Sequence, residues 1–269
     1  MTHGPAVRRP RARYWRASLF AVAALTSPAS GVAAEGALPA GFVYLRDVDP
    51  TVAQDIRYAG SDNFVGRPLP GYGAAECVLR RDAALALKQV QADLAAGGFG
   101  LKVYDCYRPT RAVRAMAQWA SDGRGGVATK RFFPKLEKST LFALGYIAAR
   151  SAHSTGTAVD LTLVADPRTP AAAFDPAAAY GSCAGPAERR APDDSVDMGT
   201  GYDCFDAASH TASGTVGPEQ RHRRALLVAA MSKQGFRNYH REWWHFAYGP
   251  AGRAYDVPIG PRAGMTPPN

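Results

Sequence analysis

Apolar residues recur at helical spacing from Leu79 to Leu94, and the pattern stops at Gly97-Gly98, which predicts an amphipathic helix closed by a turn. A second helix is predicted over Thr110 to Ala120, where Pro109 suits the entry to a first turn, and a third over Pro218 to Gln234. Shorter apolar runs at Phe42 to Leu45, Gln54 to Tyr58, Leu101 to Tyr104, Thr157 to Val164 and Trp243 to Tyr248 read as strands. The Gly- and Pro-rich stretch Gly66 to Gly73 reads as turns. Strands and helices are mixed without regular alternation, so the expected class is α+β, with a mainly antiparallel central sheet flanked by helices. Residues 166–194, dense in Ala, Pro, Gly and Arg, are expected to form a surface insertion, leaving one domain from 35 to 269.

The N-terminal stretch departs from this pattern. Arg8, Arg9, Arg11, Arg13 and Arg16 precede the apolar run Ala17 to Leu25, and small residues follow at Val32, Ala33 and Ala34. That layout predicts a signal peptide over 1–34, cleaved after Ala34, and hence a periplasmic or secreted protein. The apolar run is shorter than the roughly 20 residues of a spanning helix, so no stable membrane anchor is expected after processing. Ordinary secretion is preferred to the twin-arginine route, since Pro10-Arg11-Ala12-Arg13 continues the Arg8-Arg9 pair poorly. Loss of the five arginines lowers Lys+Arg from 32 to 27 against 23 Asp+Glu, and the formal net charge from +9 to +4. So mild a charge gives no reason to expect nucleic acid as a partner.

Cys77, Cys106, Cys183 and Cys204 all follow the leader, and an even count in an oxidising compartment suggests two disulfides. Three pairings are possible. Cys77 with Cys106 and Cys183 with Cys204 are preferred, because the second bridge closes the Gly/Pro/Ala-rich segment and restrains it in the unfolded chain. A cysteine zinc site would need CxxC-type spacing, which these residues lack.

The densest polar cluster is Ser151 to Asp160, running into the apolar Leu161 to Val164. His153 and Asp160 thereby sit near one strand edge, and Gly156 between them permits a tight backbone. His245 lies in the aromatic run Trp243 to Phe246, three residues after Glu242. Two imidazoles and a carboxylate are good zinc ligands, and three protein ligands with an open position is the arrangement of catalytic zinc. Glu242 beside them is the candidate general base. Taken singly, each has a plainer reading as a hydrogen-bonded core histidine or a turn-forming aspartate. The zincin helix motif HExxH is absent.

Ser151 to Asp160 fits the SxHxxGxAxD motif, and Glu242 to His245 the ExxH motif, of zinc D-Ala-D-Ala metallopeptidases related to hedgehog domains. Within that group the chain resembles the D-alanyl-D-alanine dipeptidases of the vancomycin-resistance type. The blocks Asp55 to Ala59, Asp62 to Phe64, Tyr104 to Pro109 and Asp197 to Asp203 carry the likeness, which spans about Phe42 to Phe246.

The resemblance implies a hedgehog/DD-peptidase-like fold and one zinc ion per chain, held by His153, Asp160 and His245, with Glu242 as base. It implies that Arg108 stabilises the oxyanion, a role suited to a fixed multidentate cation. Tyr58, Ser151 and Asp203 match positions around a small D,D-dipeptide substrate, Asp203 receiving its free ammonium. The plainer alternatives are a core tyrosine, a turn serine and an Arg108 braced by Asp105. His210 is given no metal role. The competing readings are a peptidoglycan DD-carboxypeptidase or endopeptidase of the same superfamily, and a non-catalytic envelope binding module.

Overall fold

Two strands with no room for solvent on either face run through the middle of the structure, a computed structural model that describes residues 1–4, 38–124, 127–165 and 173–262. They are β4 (Gly100–Asp105) and β5 (Ala158–Val164), buried along their whole length. Around them a five-stranded sheet forms in the order β2 (Ala53–Gln54), β4, β5, β7 (His245–Tyr248), β6 (Phe236–Asn238). Only the β2–β4 pair is parallel. A separate antiparallel pair joins β1 (Phe42–Tyr44) to β3 (Val78–Arg80). Helices α1 (Leu45–Val48), α2 (Arg81–Ala95), α3 (Thr110–Ser121) and α4 (Pro218–Lys233) complete an α+β fold with a mainly antiparallel sheet, built as one unit.

Period-two alternation sorts the two faces of this sheet. Leu101 and Val103 of β4 and Val159, Leu161 and Leu163 of β5 belong to the apolar core. The residues between them in β5, Asp160 and Thr162, are polar and equally buried. In β4, Lys102 pairs with Thr162 and Val103 with Leu161, but the register then shifts by one residue, so that Asp105 stands opposite Asp160. Asp160 in turn stands opposite His245. The extra residue is a β-bulge, which re-aims the strand end. Asp105, Asp160 and His245 therefore form one row across three strands.

Several elements differ from the sequence pattern, each for a local reason. The run Gln54 to Tyr58 does not continue as a strand; Arg57–Ala59 is a 3-10 turn. There the buried Arg57 guanidinium pairs with Asp55, Asp62 and Asp193, which pulls the chain out of the sheet. Leu79 and Arg80 extend β3 before the helix begins at Arg81. The late strand starts at His245, two residues after Trp243. The preceding turn is held by the Asn238 amide, which donates to the carbonyls of Glu242 and His245. Strand β6 has too short an apolar run to be read locally.

Both preferred disulfides are present, Cys77–Cys106 and Cys183–Cys204. In the 166–194 stretch, whose first seven residues are outside the description, Asp193 and Asp194 form ion pairs with the buried Lys102 on β4. The leader residues 5–34 and the cleavage position lie outside the described residues.

Gly156 has a left-handed backbone (φ 75°), and a Cβ there would lie 2.2 Å from the Phe42 ring. Gly156→Ala is expected to lower stability by about 2–4 kcal/mol, combining backbone strain with overpacking. Gly214→Ala, where a Cβ meets nothing within 4 Å, should be near neutral. Thermal unfolding of the two variants checks the contrast.

Candidate metal centre and active site

A single 3-10 turn, Ala152–Thr155, carries His153 to the mouth of β5. The Ser151 hydroxyl caps this turn by accepting from the His153 amide, and Gly156 ends it in the left-handed conformation. His153 Nδ1 lies 2.7 Å from the carbonyl of Cys106. A carbonyl only accepts, so Nδ1 carries the proton and Nε2 presents its lone pair. That lone pair points at Asp160 Oδ1 at 3.2 Å and at His245 Nδ1 at 3.1 Å, while His245 Nδ1 lies 3.0 Å from Asp160 Oδ1.

Three donor atoms thus form a nearly equilateral triangle. With metal–ligand bonds of about 2.0–2.1 Å, a tetrahedral site has donor–donor edges of roughly 3.3–3.4 Å. The triangle fits such an ion after a small expansion. Among the described residues these three are the group of His, Cys, Asp and Glu side chains placed to hold a metal. Asp160 is buried, which alone would raise its pKa, but the two facing imidazoles hold it well below the usual carboxylate range.

Around the triangle lies a layer of braced charges. Arg108 donates from Nε to Asp105 Oδ2 at 2.8 Å, stacks over the Tyr58 ring, and holds Nη2 3.6 Å from Asp160 Oδ2. Asp105, wholly buried, also accepts from the Tyr72 hydroxyl. Asp203 adopts a positive φ of 56° and accepts a 2.6 Å hydrogen bond from the Tyr58 hydroxyl. Burial and the negative charge of Asp160 push its carboxyl up to about 8. Glu242 has Oε2 3.9 Å from His245 Nδ1, and burial pushes it up to about 7 despite the opposing pull of His245.

Tyr58, Arg108, Ser151, His153, Asp160, Asp203, Glu242 and His245 all line one cavity of about 270 Å³. Phe64, Val113, Met116, Phe205 and Trp244 give it an apolar lining. Tyr202 lines a larger cavity of about 450 Å³, among whose charged walls Arg57 is paired with Asp193 and Arg190 with Asp197. His210 stands apart from the triangle. Two contributors escaped the sequence reading. Tyr202, inside the Asp197 to Asp203 block, reaches Asp160, and Tyr72, in the turn region, reaches Asp105. Neither has a local signal, since each acts across a long sequence separation.

Residues 39–173 and 172–260 match the family model of the M15 peptidases, described as D-Ala-D-Ala dipeptidase. The chain belongs to this peptidase family. Among similar proteins, the D-alanyl-D-alanine dipeptidase of Enterococcus faecalis is 32% identical over 206 residues, covering 77% of this chain and 90% of the relative. Those of Streptomyces coelicolor and Escherichia coli are 32% and 29% identical, each covering 76% of this chain and respectively 90% and 82% of the relative. The His/Asp triangle of this M15 peptidase is therefore a candidate metal centre in a chain whose relatives cleave a dipeptide by name.

In the metal-free peptidase, Asp203 keeps its proton up to about pH 8, whereas its ordinary value is 3.8. Between those values the native state binds a proton that the unfolded chain has released, so stability falls as pH rises through this window. Asp203→Asn removes the burden, and Asn tolerates the left-handed backbone. Its thermal stability relative to the parent should be near parity at pH 4 and higher by a few kcal/mol at pH 8, as read from unfolding curves without metal.

Proposed function

We propose that this peptidase hydrolyses free D-alanyl-D-alanine to two D-alanines, with one zinc ion held by His153, Asp160 and His245. The observation that carries the reading is the placing of a three-donor triangle and a buried carboxyl, Asp203, that accepts from the Tyr58 hydroxyl, in one small cavity. Zinc bound there would supply Lewis acidity, polarising a carbonyl oxygen and acidifying water. Two histidines and an aspartate could accept other divalent ions, and zinc is preferred for its tetrahedral N/O chemistry.

The protein's own groups would do the rest. Glu242, desolvated and next to the triangle, takes the proton of the attacking water and returns it to the leaving amine. Arg108 is held by Asp105, which its Nε and Nη2 both meet at 2.8 Å, and with Nη2 3.6 Å from Asp160 Oδ2 its guanidinium is placed to meet the developing oxyanion. Asp203 receives the free ammonium of the substrate, with the Tyr58 hydroxyl and Ser151 at the edge of the same subsite. An acylated amino end would place an amide against the buried Asp203 carboxyl in place of the cation it suits, which disfavours a carboxypeptidase or endopeptidase. Retention of all these groups likewise disfavours a binding module without chemistry.

We also propose that the chain is exported, its leader 1–34 being removed. Two disulfides support an oxidising compartment, and among the described residues no helix is long and apolar enough to cross a membrane.

Incubated with the free dipeptide, the mature chain should release D-alanine in a zinc-dependent way and leave N-acetyl-D-Ala-D-Ala intact. Preferential release from the acetylated peptide would replace this reading with a carboxypeptidase. Glu242→Gln is expected to lower kcat by about 10²–10⁴ while the zinc content stays at one per chain. Loss of zinc in that variant would make Glu242 a ligand instead.

A further inference from the structure

Asp160 has two oxygens with different surroundings. Oδ1 faces the two imidazoles, whereas Oδ2 accepts a 2.9 Å hydrogen bond from the Tyr202 hydroxyl. Among the described residues, the other charged donor near Oδ2 is Arg108 Nη2, at 3.6 Å, beyond a hydrogen bond. A metal-ligating carboxylate without a second partner can rotate, bind through both oxygens, or draw a neighbouring guanidinium into a full ion pair. Each would change the triangle or draw Arg108 away from Asp105, with which its Nε and Nη2 pair at 2.8 Å.

We propose that Tyr202 is a positioning residue for the metal centre: its hydroxyl holds Asp160 Oδ2 so that Oδ1 alone faces the ion and Arg108 stays available to the substrate. This rests on the triangle being a metal site, and it goes beyond that reading by assigning a role to a residue outside it.

Packing fixes the phenol where this role needs it. The Tyr202 ring stacks on Tyr104 at 4.5 Å with an interplanar angle of 16°. Trp244 meets it edge-on at 5.6 Å and Tyr58 at 6.4 Å. Tyr104 is itself anchored, donating its hydroxyl to Asp193 at 2.6 Å, with the Arg57 and Lys102 cations over its ring. The hydroxyl of Tyr202 therefore has little freedom to follow Asp160 if the carboxylate turns. A bond from a rigid donor to a carboxylate is charge-assisted and directional, which is what fixing one oxygen requires.

The same hydroxyl lies 3.4 Å from the Tyr58 hydroxyl, which donates to Asp203. Tyr58 and Tyr202 thus divide the two buried carboxylates between them, one phenol to each.

The test compares Tyr202→Phe with the parent chain and with Tyr44→Phe, which loses a hydroxyl bonded to the Gly260 carbonyl instead. Zinc affinity is measured by competition with a chromophoric chelator, metal-free thermal unfolding reports the fold, and the cobalt-substituted absorption spectrum reports coordination. Tyr202→Phe should bind zinc about 10–100-fold more weakly. Its cobalt spectrum should change, and its metal-free unfolding temperature should stay within a few degrees of the parent. Tyr44→Phe should match the parent in affinity and spectrum. Affinity within twofold of the parent together with an unchanged cobalt spectrum would overturn the role of Tyr202 and leave the metal site standing. A parent chain that binds neither zinc nor cobalt would overturn both.

Discussion

Four carboxyl groups, Asp105, Asp160, Asp203 and Glu242, are gathered in and around one small cavity, and one guanidinium, that of Arg108, stands among them. Burying such an excess of negative charge is costly unless protons or cations answer it. In the metal-free protein protons answer it, which is why Asp203 and Glu242 are pushed up. A divalent ion at the triangle would offset two of these charges and Arg108 a third, while a dipeptide would bring an ammonium for Asp203 together with a carboxylate of its own. Metal loading and amine recognition, as proposed, would therefore answer the same buried negative charge.

The sheet supplies the geometry that makes this gathering possible. One bulge in β4 brings Asp105 opposite Asp160, and the β5–β7 pairing brings His245 opposite Asp160 on its other side. His153, Arg108, Asp203 and Glu242 come from turns and loops, and the first two are tied to each other through the Arg108 amide and the His153 carbonyl. The Cys77–Cys106 bridge anchors the residue whose carbonyl orients the His153 ring. Ligands carried by central strands are held more rigidly than ligands on loops, and a metal centre with few protein donors depends on that rigidity.

Much of this was legible in the chain, and the boundary between what was and what was not is physical. Helix α3 follows directly from Pro109 and the apolar spacing after it, and His153 and Asp160 stand in one local motif whose turn demands Gly156. The disulfide partners also followed from spacing and compartment. What escaped is non-local. The strand after Gln54 is broken by an ion-pair cage that includes Asp193, far along the chain. The row of Asp105, Asp160 and His245 depends on strand register, and the Tyr202 contact joins residues 42 positions apart. Hydrophobic periodicity carries no record of either.

Whether the three-donor triangle holds one zinc ion can be read from zinc stoichiometry together with X-ray absorption at the zinc edge on the mature chain. One zinc per chain is predicted, in a shell of nitrogen and oxygen with two imidazoles and no sulfur, lost in Asp160→Ala while the fold is retained. A chain that takes up no zinc, a shell containing sulfur, or an Asp160→Ala variant that keeps its metal would rule out zinc at the triangle.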